Sequence, residues 1–282
     1  MPRTAAPFFV LVFVALFLGS AGVLSAGDLI NLSTRGFVGK GDDVLIGGII
    51  VKGSAPKRVI LRAIGASINV NGTALPGTLQ DPILDLFDSK GTMLQTNDDW
   101  RYGPELDIEA SKLAPTDDYE SAIIAVFNPG NYTTIIHGYA HSTGTALVEA
   151  YDLDPAGNSL AEISTRGTVQ SGDNILIAGF VVANSATNVL IRAIGPELTQ
   201  FRVPNPLQDP TLELRDASGA LLEANDDWKT DNRQAISDTG AAPTDDRESA
   251  IVRNLAPGNY TALVRGKNGT SGIALVEVYR LP

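Results

Sequence analysis

The chain has 282 residues, 44% of them hydrophobic and 19% charged, a balance that fits a folded protein and excludes a long disordered one. Its net charge of −11 sets it against phosphate backbones, so no nucleic-acid partner is expected. There is no cysteine, which excludes disulfides, thiol catalysis and Cys-based zinc sites, and only His137 and His141 are available for histidine chemistry.

Arg3 is the only charge before Asp28, and Phe8–Leu18 is an unbroken apolar run followed by small residues through Ala26. A positive start, an apolar core and a small-residue exit make a secretory signal peptide, assigned here to residues 1–26. The competing possibility is an uncleaved anchor helix over residues 5–26, which carry no charge. The dense small residues after Leu18 favour cleavage. No later stretch approaches membrane length, so the mature chain is expected to lack an integral span and to be secreted or held at the cell surface.

The rest of the chain is one unit written twice. Leu32-Ser-Thr-Arg-Gly36 recurs as Ile163-Ser-Thr-Arg-Gly167, and Leu61-Arg-Ala-Ile-Gly65 as Ile191-Arg-Ala-Ile-Gly195. Asn97-Asp-Asp-Trp100 recurs as Asn225-Asp-Asp-Trp228, and Leu147-Val-Glu-Ala-Tyr151 as Leu275-Val-Glu-Val-Tyr279. The offset moves only from 131 to 128 across the unit, a period too long for a solenoid and suited to a whole domain. Two domains are expected, 28–154 and 159–282, with Asp154-Pro-Ala-Gly-Asn158 as the linker.

Within the first copy, eight short runs have strand character. They are Leu29–Arg35, Val44–Val51, Arg58–Ile64, Ile83–Asp88, Thr92–Thr96, Ala122–Phe127, Tyr132–Tyr139 and Ala146–Asp152. Ile83-Leu-Asp-Leu-Phe87 and Thr211-Leu-Glu-Leu-Arg215 alternate apolar and exposed positions. Asp88-Ser-Lys-Gly91 and Asp216-Ala-Ser-Gly219 have the residues of hairpin turns. The best helical candidates are Glu105–Leu113 and Asn232–Thr239, each a turn or two. The expected fold is all-β, two tandem jelly-roll-like β-sandwiches of about eight strands each.

From Asp209 to Tyr279 the order is Asp-Pro, a strand, an Asp-x-x-Gly turn, Asn-Asp-Asp, Glu-Ser-Ala-Ile, Pro-Gly-Asn-Tyr and a last strand; Asp81 to Tyr151 repeats it. This order resembles the bacterial pre-peptidase C-terminal domain, a jelly-roll β-sandwich appended to secreted proteases and other exported proteins. The resemblance covers the last 70 or so residues of each copy and leaves the Ser-Thr-Arg-Gly and Arg-Ala-Ile-Gly segments outside it. It implies calcium or polymeric substrates as ligands. The chain departs from the pattern between Asn-Asp-Asp and Glu-Ser, where an insertion carries Trp100 and the Pro-Thr-Asp-Asp loop.

Two acidic clusters per copy are the candidate metal site. They are Asn97, Asp98, Asp99, Asp117, Asp118 and Glu120, then Asn225, Asp226, Asp227, Asp245, Asp246 and Glu248. Calcium takes six to eight oxygens, which these loops supply if they meet at one end of a sandwich. The alternative is local turn chemistry, with the side chains bonding nearby backbone; the spacing of an EF-hand loop is absent. Trp100 and Trp228 are candidate ligand platforms for a sugar ring, or else plugs at the end of a core. Arg62 and Arg192 lie in apolar strands, as do Glu149 and Glu277, and a charge in such a place needs a partner. Pairing of Arg62 with Glu149 and of Arg192 with Glu277 is therefore expected, rather than ligand-facing arginines. His137 and His141 have the spacing of a helical zinc pair, but in a strand that spacing separates the rings.

No nucleophile elbow, zinc helix or phosphate loop is present. The functional expectation is a non-catalytic exported binding, adhesion or surface-structural module, calcium-stabilised, with an extracellular polymer or surface glycan as partner. The alternatives are a carboxylate-based extracellular polysaccharide hydrolase and a spacer without a small ligand. Against the hydrolase, the candidate acids come in matched pairs, with no asymmetric constellation to mark a catalytic pair.

Overall fold

A computed structural model of the chain describes residues 28–70, 72–154, 160–172 and 174–281; the expected signal segment and the core of the linker lie outside the described residues. The first repeat contributes β1 (Asp28–Val38), β2 (Leu45–Val51), β3 (Lys57–Ile64), a two-residue ribbon of β4 (Asn69–Val70) and β5 (Thr73–Ala74), β6 (Pro82–Asp88), β7 (Met93–Asn97), β8 (Ser121–Phe127), β9 (Gly130–Gly138) and β10 (Gly144–Asp152). The second contributes β11 (Leu160–Val169), β12 (Leu176–Ala183), β13 (Thr187–Ile194), β14 (Pro210–Asp216), β15 (Leu221–Asn225), β16 (Ser249–Leu255), β17 (Gly258–Gly266) and β18 (Gly272–Arg280). Helices α1 (Glu105–Ala110) and α2 (Arg233–Asp238) stand where the two helical candidates were expected. Among the described residues no helix is long and apolar enough to cross a membrane.

The alternation read in the sequence becomes alternating burial in β2, β6, β12 and β14. In the β6–β7 hairpin, the Asp88 carboxylate accepts the backbone N–H groups of Lys90 (2.8 Å) and Thr92 (2.9 Å). Asp216 does the same for Ser218 and Ala220. In each repeat the strands run β1-β10-β3-β8 in one layer and β2-β9-β6-β7 in the other, matched by β11-β18-β13-β16 and β12-β17-β14-β15. That connectivity is a jelly roll, so the protein is all-β and each repeat is an eight-stranded sandwich.

The two sandwiches are fused rather than strung side by side. β1 pairs with its own β10 on one edge and with β12 of the second repeat on the other, Asn31 to Arg35 lying opposite Val181 to Ile177. Reciprocally, β11 pairs with β18 and reaches β2 of the first repeat at Val51. The two first strands also touch each other in parallel, Phe37 opposite Thr168. Each layer thus continues from one repeat into the other, and one apolar cluster runs from Leu45 and Leu61 in the first repeat to Val264 and Val278 in the second.

This crossing accounts for the duplicated Ser-Thr-Arg-Gly segment. The hydroxyls of Thr34 and Thr165 share a buried hydrogen bond of 2.8 Å between the repeats. A Cβ on Gly36 would stand 2.7 Å from a methyl of Leu45, and one on Gly167 2.8 Å from the same methyl, so a side chain at either place would have to displace Leu45. The second duplicated glycine answers to backbone. A Cβ on Gly65 would fall 1.8 Å from the Leu79 carbonyl oxygen, and one on Gly195 2.0 Å from that of Leu207.

Candidate functional site

The acidic ends are built by the β6–β7 and β14–β15 hairpins. Asp81 and Asp209 stand just before β6 and β14, and the Asn-Asp-Asp triplets begin at the last residues of β7 and β15, so register brings them to one end of the layer. The triplets are not equivalent along their length. Asn97 is buried; its amide donates to the Asp99 carbonyl (2.9 Å) and its oxygen accepts Ala122 N–H (2.8 Å). Asn225 makes the same two bonds, to Asp227 (3.2 Å) and from Ala250 (3.0 Å). These amides act as struts between the triplet and the neighbouring strand. Behind them, the Ser249 hydroxyl lies 2.6, 3.0 and 2.7 Å from the carbonyl oxygens of Pro210, Asn225 and Asp226, which pins the strand ends together.

The carboxylates that follow have less to bond. One oxygen each from Asp209, Asp226 and Asp227 can be chosen so that all lie within 4.8 Å of one another. One buried oxygen on each of Asp81, Asp98, Asp209 and Asp226 has no hydrogen-bond partner, at matching positions in both repeats. Burial, and then the neighbouring Asp98, Asp99 and Asp117 carboxylates, push the Asp81 carboxyl above its ordinary value. Asp99 moves the same way through burial, Asp98 and Asp118. In the second repeat the Lys267 ammonium answers part of this charge, 2.7 Å from Asp226 and 3.4 Å from Asp209. Tyr139 stands at that place in the first repeat. Carboxylate oxygens that repel one another and lack donors suit a hard cation such as calcium. Asp209, Asp226 and Asp227 would hold it in the second repeat; their first-repeat counterparts Asp81, Asp98 and Asp99 do not converge as closely.

The remaining acidic candidates are engaged elsewhere. Glu120 is fully buried and accepts the N–H groups of Gly65 and Ser67, both at 2.9 Å, with the Ser67 hydroxyl at 2.7 Å. Glu248 likewise accepts Gly195 (2.7 Å) and Glu197 (2.8 Å). Burial pushes the Glu248 carboxyl up to about 8 against those two bonds, with Glu197 and Asp245 adding to the rise. Both glutamates clamp the Arg-Ala-Ile-Gly strand end. Asp117 and Asp245 make local turns to the N–H groups of Tyr119 and Arg247 (both 3.0 Å), Asp118 pairs with Arg101 (2.6 Å) and Asp246 with Lys229. The carboxylates left without local partners are those of the triplets together with Asp81 and Asp209. Their signal was the exact duplication of Gln80-Asp81-Pro82 as Gln208-Asp209-Pro210.

Trp100 and Trp228 are core plugs. They are 3% and 6% exposed, packed on Ile108 and on Ile236, and their indole N–H groups donate to the Asp117 and Asp245 carbonyls at 3.1 Å. Rings buried in this way offer no face to a sugar, so the platform expectation is corrected. The expected ion pairs are present, directly across the strands. Arg62 Nε donates to Glu149 at 2.8 Å and Arg192 Nε to Glu277 at 2.8 Å, Arg192 also reaching the Ala241 carbonyl (2.7 Å) and the Tyr279 hydroxyl (3.0 Å). Sequence reasoning missed a third buried pair, Lys57 with Asp152 at 2.6 Å, which exists only in the first repeat because Thr187 occupies the equivalent place. His137 bonds Asp85 (3.2 Å), which holds the imidazole above its ordinary pKa.

The fold is a double jelly roll whose β6–β7 and β14–β15 hairpin ends are acidic. No family model and no curated protein matches the chain. Among solved structures it is similar to the STIV MCP, at 13% identity and a TM-score of 0.23 over 92% of this chain and 90% of that one. It is similar to PNGF-II at 12% identity and 0.25, over 92% and 57%, and to allantoicase at 10% and 0.23, over 86% and 79%. At such scores these likenesses carry no argument, and the jelly-roll assignment rests on the strand pairing above.

Proposed function

We propose that the protein is an exported, non-catalytic binding or surface-structural module whose hairpin ends take calcium, with an extracellular polymer or glycan as partner. The observation that carries the calcium assignment is the set of unpartnered buried carboxylate oxygens on Asp81, Asp98, Asp209 and Asp226, repeated at equivalent positions. The motif order resembling the pre-peptidase C-terminal domain supports the same ligand class. Export rests on the signal-like residues 1–26. A non-catalytic role is supported by where the other buried acids go: Glu149 and Glu277 into ion pairs, Glu120 and Glu248 onto backbone N–H groups. Glu248 has the raised proton affinity of an acid catalyst, but it is fully buried, where no substrate reaches it.

The test is thermal unfolding of the full chain with calcium and with chelator. A ligand that binds only the folded state at a hundred times its Kd adds about 2.7 kcal/mol. The midpoint is expected to rise with calcium, less so in Asp98→Asn, and not at all when Asp226→Asn is added. Equal midpoints with calcium and chelator in the unaltered protein would reject the calcium assignment.

A further inference from the structure

The outer faces of the two sandwiches differ in what fills them. On the solvent side of β6 and β9, Asp85, Phe87, Ile135 and His137 floor a cavity of about 340 Å³, walled by the Gly39–Gly41 loop and by Gly91 of the hairpin turn. A concave, mostly apolar space of this size with a few convergent polar groups is the usual form of a small-ligand site.

The second repeat shows what such a face looks like when filled. Glu213, Arg215, Leu263 and Arg265 stand at the equivalent positions of β14 and β17. Arg215 pairs with Glu213 (2.6 Å) and donates to the Gly219 carbonyl (2.9 Å), while Arg265 donates to the Gly172 carbonyl (3.2 Å). Gly219 and Gly172 are the counterparts of Gly91 and Gly41, the two walls of the cavity. Two guanidinium groups thus span floor and walls in the second repeat. In the first, Phe87 and His137 replace both arginines while the carboxylate is kept as Asp85. Asp85 is the carboxylate lining the cavity and is shared with His137 at 3.2 Å, as Glu213 is with Arg215; Lys40 and His141 also line it.

We infer that this cavity binds an organic cation with a planar guanidinium or amidinium group, set against the Asp85 carboxylate, over the Phe87 ring and between the two glycine walls. It takes the place that Arg215 and Arg265 fill in the second repeat. The carboxylate supplies charge, the ring supplies a cation–π face, and the wall carbonyls accept the remaining N–H groups. The site is independent of the acidic ends and does not rest on the calcium assignment.

Benzamidine, followed by NMR titration of the full chain, is the probe. Saturable shifts centred on Phe87, Ile135 and His137 are expected, with none from benzoate, which has the same shape and the opposite charge. Asp85→Asn is expected to weaken binding at least about tenfold. Installing the residues of the second repeat, Phe87→Arg with His137→Arg, is expected to fill the cavity and abolish binding while the rest of the spectrum stays native. A free ligand and an arginine side chain share this chemistry. Agmatine and an acetylated, amidated Gly-Arg-Gly peptide distinguish them: binding of agmatine alone assigns a free amine ligand, and equal binding of the peptide assigns a polypeptide partner. No saturable benzamidine binding at millimolar concentration, equal binding of benzoate, or full binding by the double arginine variant would each overturn the inference.

Discussion

Replacing Arg192 with methionine should be among the most damaging single changes in the protein. The Arg192 and Glu277 side chains are 8% and 1% exposed, so neither charge can turn to water. Arg192→Met removes every donor to Glu277 except the Tyr279 hydroxyl at 2.9 Å, and takes the only guanidinium bond from the Ala241 carbonyl. Breaking a buried pair from one side costs about 3–5 kcal/mol, because the surviving charge is left without compensation. Replacing both partners by apolar residues of similar volume is often close to neutral. The double variant Arg192→Met with Glu277→Met should therefore recover most of the loss. The assay is denaturant unfolding of the four proteins of the cycle, with unchanged slopes required for comparison. A single variant within about 1 kcal/mol of the parent, or a double variant no better than the single, would refute the view that an uncompensated charge sets the cost. The Arg62–Glu149 pair, at 15% and 6% exposure, should show the same pattern with a smaller amplitude.

Two further outcomes follow from buried positions. Glu248 has a folded-state pKa of about 8 against an ordinary 4.5, so the folded protein holds a proton there that the unfolded chain has lost. That contribution is complete below the unfolded value and disappears as pH rises through the window up to about 8. Carboxyl NMR should find Glu248 titrating far above 4.5, with urea midpoints falling as pH rises; a titration near 4.5 would contradict it. Gly195→Ala drives a Cβ to 2.0 Å from the Leu207 carbonyl oxygen, a backbone atom that cannot rotate away. A loss of about 1–3 kcal/mol or more is expected in denaturant unfolding, and a neutral result would mean the Leu207 segment yields freely.

Much of the fold was legible because its signals are local. The Asp88 and Asp216 turns, the alternation of β6 and β14, and the two single-turn helices each follow from a few adjacent residues. The Arg–Glu pairs were legible because a charge in an apolar strand demands a partner, and each duplicated strand offered one. The crossing of β1 and β11 was not. A duplicated Ser-Thr-Arg-Gly segment looks the same whether it pairs within its own copy or with the other, since both copies present the same edge. The cavity went unnoticed for a related reason. The mismatch of His137 with Arg265 was visible, but its meaning depends on Phe87 facing the same space, two strand positions from Asp85 on a neighbouring strand.

The reciprocal lending of β1 and β11 makes the covalent join between the repeats dispensable to their association. Each half supplies a strand that closes the other's open edge while keeping its place in its own sheet. A protease cut between Asp154 and Leu160 would therefore release no separate halves, and a lone repeat would find its missing edge in a second copy of itself.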